Sequence, residues 1–430
     1  MRIQRITAAV AAAALLLSGC SSLSLNSSDI LAPPKAAGDR ASIQKMIEDD
    51  TDGKYELIFP SSGGHKSGVI MHDLDGDGTD EAVALYRCSD GSARMLIAEN
   101  RDGGYRSKGT VELSSASIGS LRFADVDGSG REEIIVGCGA EPRSAVLSAC
   151  FTDEEPSLLT VAEGFTDYLT GDLDTDARSD VLVLIPPSAE ASAKAELMIY
   201  DKNGFESRSS CEVDPAVASY AALNFGKING DIYGAILDGV TADGKYTTQI
   251  LYYDKDDRTL INPLFVAAGY SDTYRTAKVF SADIDSDGVT EFPLCSLTEH
   301  EKKEDIATVC TEAMWCCYEP VQMAPVKKVF TMLCEPLSFQ LRVDEEQTRT
   351  LTARYDADNG FTLHEVEYKN NEPKIGDAVL TIRRYDAGSF DSEKDTGTVI
   401  YEDGTATYAC TLSDNAPFTY ATVKSSFIPM

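Results

Sequence analysis

Nine-residue acidic segments recur five times along this chain: Asp73–Glu81 (DLDGDGTDE), Asp125–Glu133 (DVDGSGREE), Asp172–Asp180 (DLDTDARSD), Lys227–Ala235 (KINGDIYGA) and Asp283–Glu291 (DIDSDGVTE). Their first residues are 52, 47, 55 and 56 positions apart, and each segment runs directly into a short apolar stretch. A strand-built repeat of this length cannot cover both apolar faces of its own sheet. Its neighbours must do so, which is the condition for propeller blades and related arrays.

Within the first unit the alternation and turn signals predict strands at Gly68–His72, Ala82–Arg87, Ala93–Ala98 and Tyr105–Leu113. The second unit repeats the plan at Ser120–Ala124, Glu133–Gly137, Ala145–Phe151 and Leu158–Ala162, and the third at Tyr168–Gly171, Val181–Ile185, Glu196–Tyr200 and Phe205–Cys211. The fold class expected is therefore mainly β: a β-propeller of about five four-stranded blades over residues 63–327. In the last unit Met314–Tyr318 reads as a delayed third strand, after an exposed charged stretch at Glu299–Asp305. Propellers generally close by sharing a blade between the chain ends, which makes Tyr55–Phe59 the candidate outer strand of blade five.

Residues 328–430 hold no further acidic loop and read as a separate, small strand-rich domain. Its expected strands are Phe339–Val343, Thr350–Tyr355, Phe361–Glu367, Ala378–Tyr385, Thr398–Tyr401 and Ala406–Leu412. Turns at Asp358-Asn359-Gly360 and Glu402-Asp403-Gly404 support hairpins.

Acidic residues outnumber basic ones 70 to 38 in the 430-residue chain, which argues against nucleic acid as a partner, since that recognition rests on Lys and Arg neutralising phosphates. Residues 1–19 have the form of a signal peptide: Arg2 and Arg5, an apolar run from Ile6 to Leu16, then Leu17-Ser18-Gly19-Cys20. That tetrapeptide resembles the lipobox of bacterial lipoproteins. The resemblance implies export, lipidation of Cys20 and anchorage to the bacterial cell membrane, facing outward. Residues 20–40, rich in Ser, Ala and Pro, read as a flexible tether. Within 41–62, Ile43, Met46 and Ile47 behind Ser42 predict a short helix before the lead-in strand.

Ten cysteines remain after Cys20, an even number that in an exported chain invites disulfides. Cys88, Cys138, Cys150, Cys295, Cys310, Cys316 and Cys317 lie in or beside apolar runs without regular spacing, so bridges and buried thiols stay open as alternatives. No CxxC pairing of the zinc type is present.

The loops carry the chemistry. In the first, Asp73, Asp75 and Asp77 stand at positions 1, 3 and 5, Gly78 at 6 and Glu81 at 9, with the Thr79 carbonyl available at 7. Alternating carboxylates on a tightly turning backbone converge on one point, and an oxygen-only donor set selects a hard cation, calcium before magnesium. The corresponding ligands are Asp125, Asp127, Ser129, the Arg131 carbonyl and Glu133; then Asp172, Asp174, Asp176, the Arg178 carbonyl and Asp180; then Asp283, Asp285, Asp287, the Val289 carbonyl and Glu291. Neutral Ser129 weakens the second site. Ala177 puts a methyl group where the template has Gly78. In the fourth copy Lys227 and Ala235 replace the outer acids, so the ammonium is expected to stand in the metal's place and its loss to destabilise that blade. Three or four structural calcium ions follow.

An EF-hand or dockerin loop ends in a carboxylate at position 12, whereas Ala84, Val136, Val183 and Leu294 stand there in the four intact copies. The pattern, followed by strand and not helix, resembles the FG-GAP or VCBS-type repeats of integrin alpha-chain propellers and many exported bacterial proteins. The resemblance covers roughly residues 63–297. It implies that each loop joins the first and second strands of a blade, and that partners bind the opposite face, near Glu141–Ser144, Ser188–Lys194 and Asp254–Arg258.

Catalytic signals are sparse. His65, His72, His300 and His364 are scattered, and neither GxSxG nor HExxH occurs. The sequence therefore reads as a lipid-anchored surface protein whose calcium-stabilised propeller binds or scaffolds a protein or glycan. The alternative is a polysaccharide-acting enzyme on the same scaffold, using a carboxylate pair whose separation is invisible in sequence.

Overall fold

A computed structural model describes residues 38–101, 103–266, 270–271, 273–297, 310–370 and 372–430. The expected signal peptide, Cys20, nearly all of the tether and the stretch Glu299–Asp305 lie outside them. Strand alternation dictates the architecture. In the central strand Glu81–Cys88, Val83 and Leu85 point to one side and Ala82, Ala84 and Tyr86 to the other, and all five are buried. A strand apolar on both faces needs a layer on each side.

Four antiparallel sheets follow in series, each with its strands in chain order. The first has Val69–His72, Glu81–Cys88, Ala93–Arg101 and Gly104–Leu113, with Tyr55–Leu57 as a fifth strand. The second is Ile118–Ala124, Glu133–Cys138, Val146–Phe151 and Ser157–Glu163; the third is Asp167–Gly171, Asp180–Ile185, Lys194–Asp201 and Gly204–Glu212. The fourth is Val217–Asn229, Ile232–Thr241, Tyr246–Asp254 and Thr259–Ile261. A fifth sheet contains Phe292–Leu297, Thr311–Glu319, Ala324–Cys334, Phe339–Val343 and the chain's last strand, Phe427–Pro429. The protein is thus mainly β, with several four-stranded antiparallel sheets in a propeller-like arrangement.

Adjacent sheets share apolar layers. Val83, Leu85, Met95 and Ile97 pack with Ile134 and Val136; Ile135 and Ala149 with Tyr168, Val181 and Val183; Leu182 and Leu184 with Ala235 and Leu237; Ile236 and Ile250 with Phe292 and Cys316. At the start of the row Ala82, Ala84, Tyr86, Leu96 and Ala98 are covered by Ile43 and Ile47 of helix α1 (Asp39–Thr51). Ser42 lies inside that helix and not before it. Among the described residues no apolar cluster joins the first sheet to the fifth.

Two expectations are corrected here. Tyr55–Leu57 pairs with Tyr86–Cys88, on the same edge that Val69–His72 uses further along, so it completes the first sheet and not blade five. Asp254–Arg258 joins the third and fourth strands of its sheet, which puts it at the acidic-loop end. The fourth-sheet loop at the opposite end is Thr241–Lys245. In addition, the boundary expected after residue 327 falls inside Ala324–Cys334. The C-terminal sheet (Leu351–Asp356, Gly360–Lys369, Glu372–Asp386, Ala406–Leu412 and Thr398–Glu402) shares its core with the fifth sheet, through Met332, Phe339 and Leu341 against Phe361, Leu363 and Ile382.

An interaction with no signal in the sequence joins the fourth sheet to the segment that enters the fifth. Asp238 and Arg275 form an ion pair at 3.0 Å with both side chains fully buried. The guanidinium also donates to Thr248 Oγ1, the Thr273 carbonyl and the Val279 carbonyl, while Asp238 accepts from the Ser281 amide and from the Ser281 and Thr248 hydroxyls. Removing one member of such a pair leaves an uncompensated buried charge. Arg275→Met is therefore expected to cost about 3–5 kcal/mol in urea unfolding, and Asp238→Leu/Arg275→Met less than either single change. Equal losses in the single and double variants would contradict this.

Candidate metal centres

The first three intact acidic loops each link the first and second strands of their sheet, the loop Asp283–Glu291 follows the isolated bridge of Ala282 with Glu291 and leads into the first strand of the fifth sheet, and the four loops fold alike. Position 6 has a positive φ in every copy: Gly78 87°, Gly130 83°, Ala177 71° and Gly288 86°. The methyl of Ala177 therefore does sit in the left-handed region. Position 4 is left-handed too, at Gly76, Gly128, Thr175 and Ser286. The sequence pattern hides this requirement, because in the third and fifth loops a side chain occupies the place.

The backbone hydrogen bonds recur with the same regularity. The position 6 amide donates to the first Asp: Gly78, Gly130, Ala177 and Gly288 to Asp73, Asp125, Asp172 and Asp283, at 2.9–3.0 Å. The position 2 amide donates to the ninth carboxylate: Leu74 to Glu81, Val126 to Glu133, Leu173 to Asp180 and Ile284 to Glu291, at 2.9–3.1 Å. Leu74, Val126 and Leu173 are themselves buried. Position 2 is thus an apolar plug whose amide orients the ninth acid, a role that sequence reading missed although Leu, Val or Ile stands there in every copy.

Three carboxylates of each loop converge. Ligand atoms of Asp73, Asp75 and Glu81 lie within 4.8 Å of one another, as do those of Asp125, Asp127 and Glu133, of Asp172, Asp174 and Asp180, and of Asp283, Asp285 and Glu291. The position 5 groups are engaged elsewhere. Asp77 and Ser129 accept from the amides of Thr79 and Arg131, Asp176 pairs with Arg178, and Asp287 pairs with Lys328 at 2.6 Å. Basic side chains also reach position 3: Arg131 meets Asp75 at 3.1 Å and Arg208 meets Asp174 at 3.5 Å.

The residues fit a cation. Asp73 Oδ1, Asp285 Oδ1 and Glu291 Oε1 are buried without a hydrogen-bond partner, and each belongs to one of the clusters. Buried carboxylate oxygens left unpaired are costly, and a hard cation with oxygen preference satisfies several together. Burial, followed by the repulsion of neighbouring carboxylates, pushes Glu133 up to about 8 and Asp180 and Glu291 up to about 7; Glu81 is raised for the same reasons. A cation bound among these acids would favour their deprotonated forms.

The loops also fasten the sheets together. The position 8 amides of Glu132, Ser179 and Thr290 donate to the carbonyls of Leu74, Asp125 and Lys227 in the preceding loop, at 2.7–2.8 Å. His72, beside the first cluster, pairs with Glu132 and stacks on Phe123 with ring centroids 3.9 Å apart.

The fourth copy is different in kind. Strands Val217–Asn229 and Ile232–Thr241 pair up to a two-residue turn, with Lys227 opposite Tyr233, so no cage exists for the ammonium to fill. Lys227 lies 3.7 Å from fully exposed Asp231 and 5.7 Å over the Tyr233 ring. The expected stand-in role is corrected to that of a clip on an exposed hairpin tip, where such pairs contribute under about 1 kcal/mol.

Two outcomes follow for the ion-free protein. Acids whose folded pKa is raised stabilise fully below their unfolded values of 4.5 for Glu and 3.8 for Asp, and that stability is lost as pH rises through about 7 to about 8. In excess chelator the melting temperature should therefore be higher near pH 6 than near pH 8, and the difference should shrink once metal is added. A chelated protein equally stable at both values would contradict this. Ala177→Gly, which relieves a left-handed alanine, should stabilise the ion-free protein by about 1 kcal/mol in urea titration.

Residues 50–136 match the family model of the FG-GAP-like repeat. The match runs from the end of helix α1 through the first sheet and the first two acidic loops into the second strand of the second sheet. No curated protein matches the chain. The chain carries an FG-GAP-like repeat over residues 50–136, and the loop architecture of that segment recurs beyond it at Asp172–Asp180 and Asp283–Glu291.

Proposed function

We propose that this is an exported protein, held by lipid on Cys20 to the outer side of a bacterial membrane, whose calcium-stabilised, five-bladed propeller-like row binds a protein or glycan. The observation that carries the reading is the segregation of the two ends of the sheets. At one end the acidic clusters and inter-loop hydrogen bonds tie neighbouring sheets together. At the other end the connections Gly139–Ala145, Pro186–Ala193 and Thr241–Lys245 differ in length and sequence, as a recognition surface requires. A cleft of about 590 Å³ opens there, lined by Thr241, Asp243, Lys245, Tyr274, Ser296 and Thr311. Hydroxyl groups, an aromatic ring and a charged pair suit a polar ligand such as a glycan.

Calcium acts here as a structural ion. With ~2 mM calcium outside the cell and ~0.1 mM dissociation constants, each site contributes about 1.8 kcal/mol, and four contribute about 7 kcal/mol. Chelation should lower the melting temperature steeply, calorimetric titration should count three or four ions, and magnesium should restore little. An unchanged melt after chelation would sink the structural role. For the ligand, the purified protein is tested against glycan and protein panels. Stoichiometric, calcium-dependent capture without turnover, weakened by Tyr274→Ala, supports the binding role; product release from a polysaccharide would replace it with an enzyme.

A further inference from the structure

The row of sheets and the C-terminal unit meet at two cysteines. Thr311 pairs with Leu333 at the end of the antiparallel ladder between Thr311–Glu319 and Ala324–Cys334, so the next position sets Cys310 opposite Cys334. Directly opposed residues of an antiparallel pair have Cα atoms about 4.5–5.5 Å apart, inside the about 4.4–6.8 Å that a disulfide spans. The two thiols are close enough to interact, and Cys334 together with burial raises the Cys310 thiol above its ordinary value. Among the described cysteines no other two face each other in strand register. Both are buried in one apolar cluster with Phe339, Phe361 and Phe427, and the Cys310 amide donates to the Ala353 carbonyl of the C-terminal sheet at 3.1 Å.

We propose that Cys310 and Cys334, free thiols in this structure, are the site of a disulfide that staples the fifth sheet where the C-terminal unit joins it. The oxidant is an external disulfide of the glutathione type. One cysteine thiolate attacks it, forming a mixed disulfide and releasing one glutathione thiol. The second cysteine thiolate then attacks the protein sulfur and expels the other glutathione. The two cysteine thiols together give up two protons and two electrons, and one glutathione disulfide becomes two thiols. Because the pair is deeply buried, oxidation precedes closure of the core. The hairpin that brings the thiols together forms from neighbouring strands, whereas Phe427–Pro429 at the end of the chain arrives later to cover them.

The test refolds the reduced, denatured protein in a buffer of oxidised and reduced glutathione, alkylates the remaining thiols and maps peptides without reduction. The expected result is a single linked pair, Cys310 to Cys334, with two fewer free thiols than after refolding in dithiothreitol. The oxidised protein should also unfold at a higher urea concentration than the reduced one. Cys310→Ser should abolish both the thiol loss and the urea shift, and Cys334→Ala, which leaves less of a polar group in the core, should do the same. The proposal is overturned if protein with a native circular dichroism spectrum keeps every thiol, stops at glutathione adducts, or links other cysteines. Because the wild-type peptide map decides alone, a variant that fails to fold leaves the proposal open to refutation.

Discussion

The hydrogen bond from the second amide to the ninth carboxylate is the contact on which the conformation of each of the four intact acidic loops depends. It draws a charged group into the layer between strands while an apolar side chain from the same residue plugs the interior, as Leu74 and Glu81 do. A buried carboxylate with one oxygen satisfied and the other unpartnered, as Glu291 shows, is stable only when something positive completes it. The loop is thus folded against its own charge. Its conformation is set by the backbone, and a cation bound there would balance its charge.

That division explains why neighbouring sheets are coupled at the loops. The position 8 amide follows directly on the metal-facing turn and donates to the previous loop. Arg131 extends the link by reaching from the second loop to Asp75 of the first, and Lys328 performs a similar service at Asp285 and Asp287. These cations soften the repulsion among clustered acids without closing the cage, since each touches the outer oxygens and leaves the buried ones free. A cation bound at one loop would therefore stiffen the turn from which the next sheet hangs.

Much of this was legible in the sequence because two signals coincided. The period of acidic loops located the sheets, and apolar runs such as Ile134–Val136 and Val181–Leu184 could only be strands covered on both faces. Strand positions, the three converging carboxylates and the strain at Ala177 followed from local pattern. What stayed hidden were contacts between distant residues. Nothing local marks Asp238 and Arg275 as partners, or Tyr55–Leu57 as belonging to the nearest sheet and not the farthest. The last strand, Phe427–Pro429, is three residues long and takes its structure from Phe339–Leu341, far earlier in the chain. The partners of two position 5 acids were hidden for a related reason: their spacing suits a metal, and Arg178 and Lys328 pair with Asp176 and Asp287 in this structure.

The fourth copy shows what an acidic loop replaces. With Lys227 and Ala235 in place of the outer acids, the chain zips its strands to a two-residue turn and stacks Phe225 on Tyr233, with ring centroids 5.7 Å apart. Phe225 can approach because Gly171 of the third sheet has no side chain; a Cβ there would lie 2.4 Å from the ring. Strand pairing and aromatic packing order this turn directly, where the other loops rely on carboxylates that accept from their own backbone amides. Yet Lys227 still offers its carbonyl to Thr290 of the next loop. The hydrogen bond from the fifth loop thus forms on a turn that has no acidic cluster, so this link needs the backbone of the preceding turn and not its carboxylates.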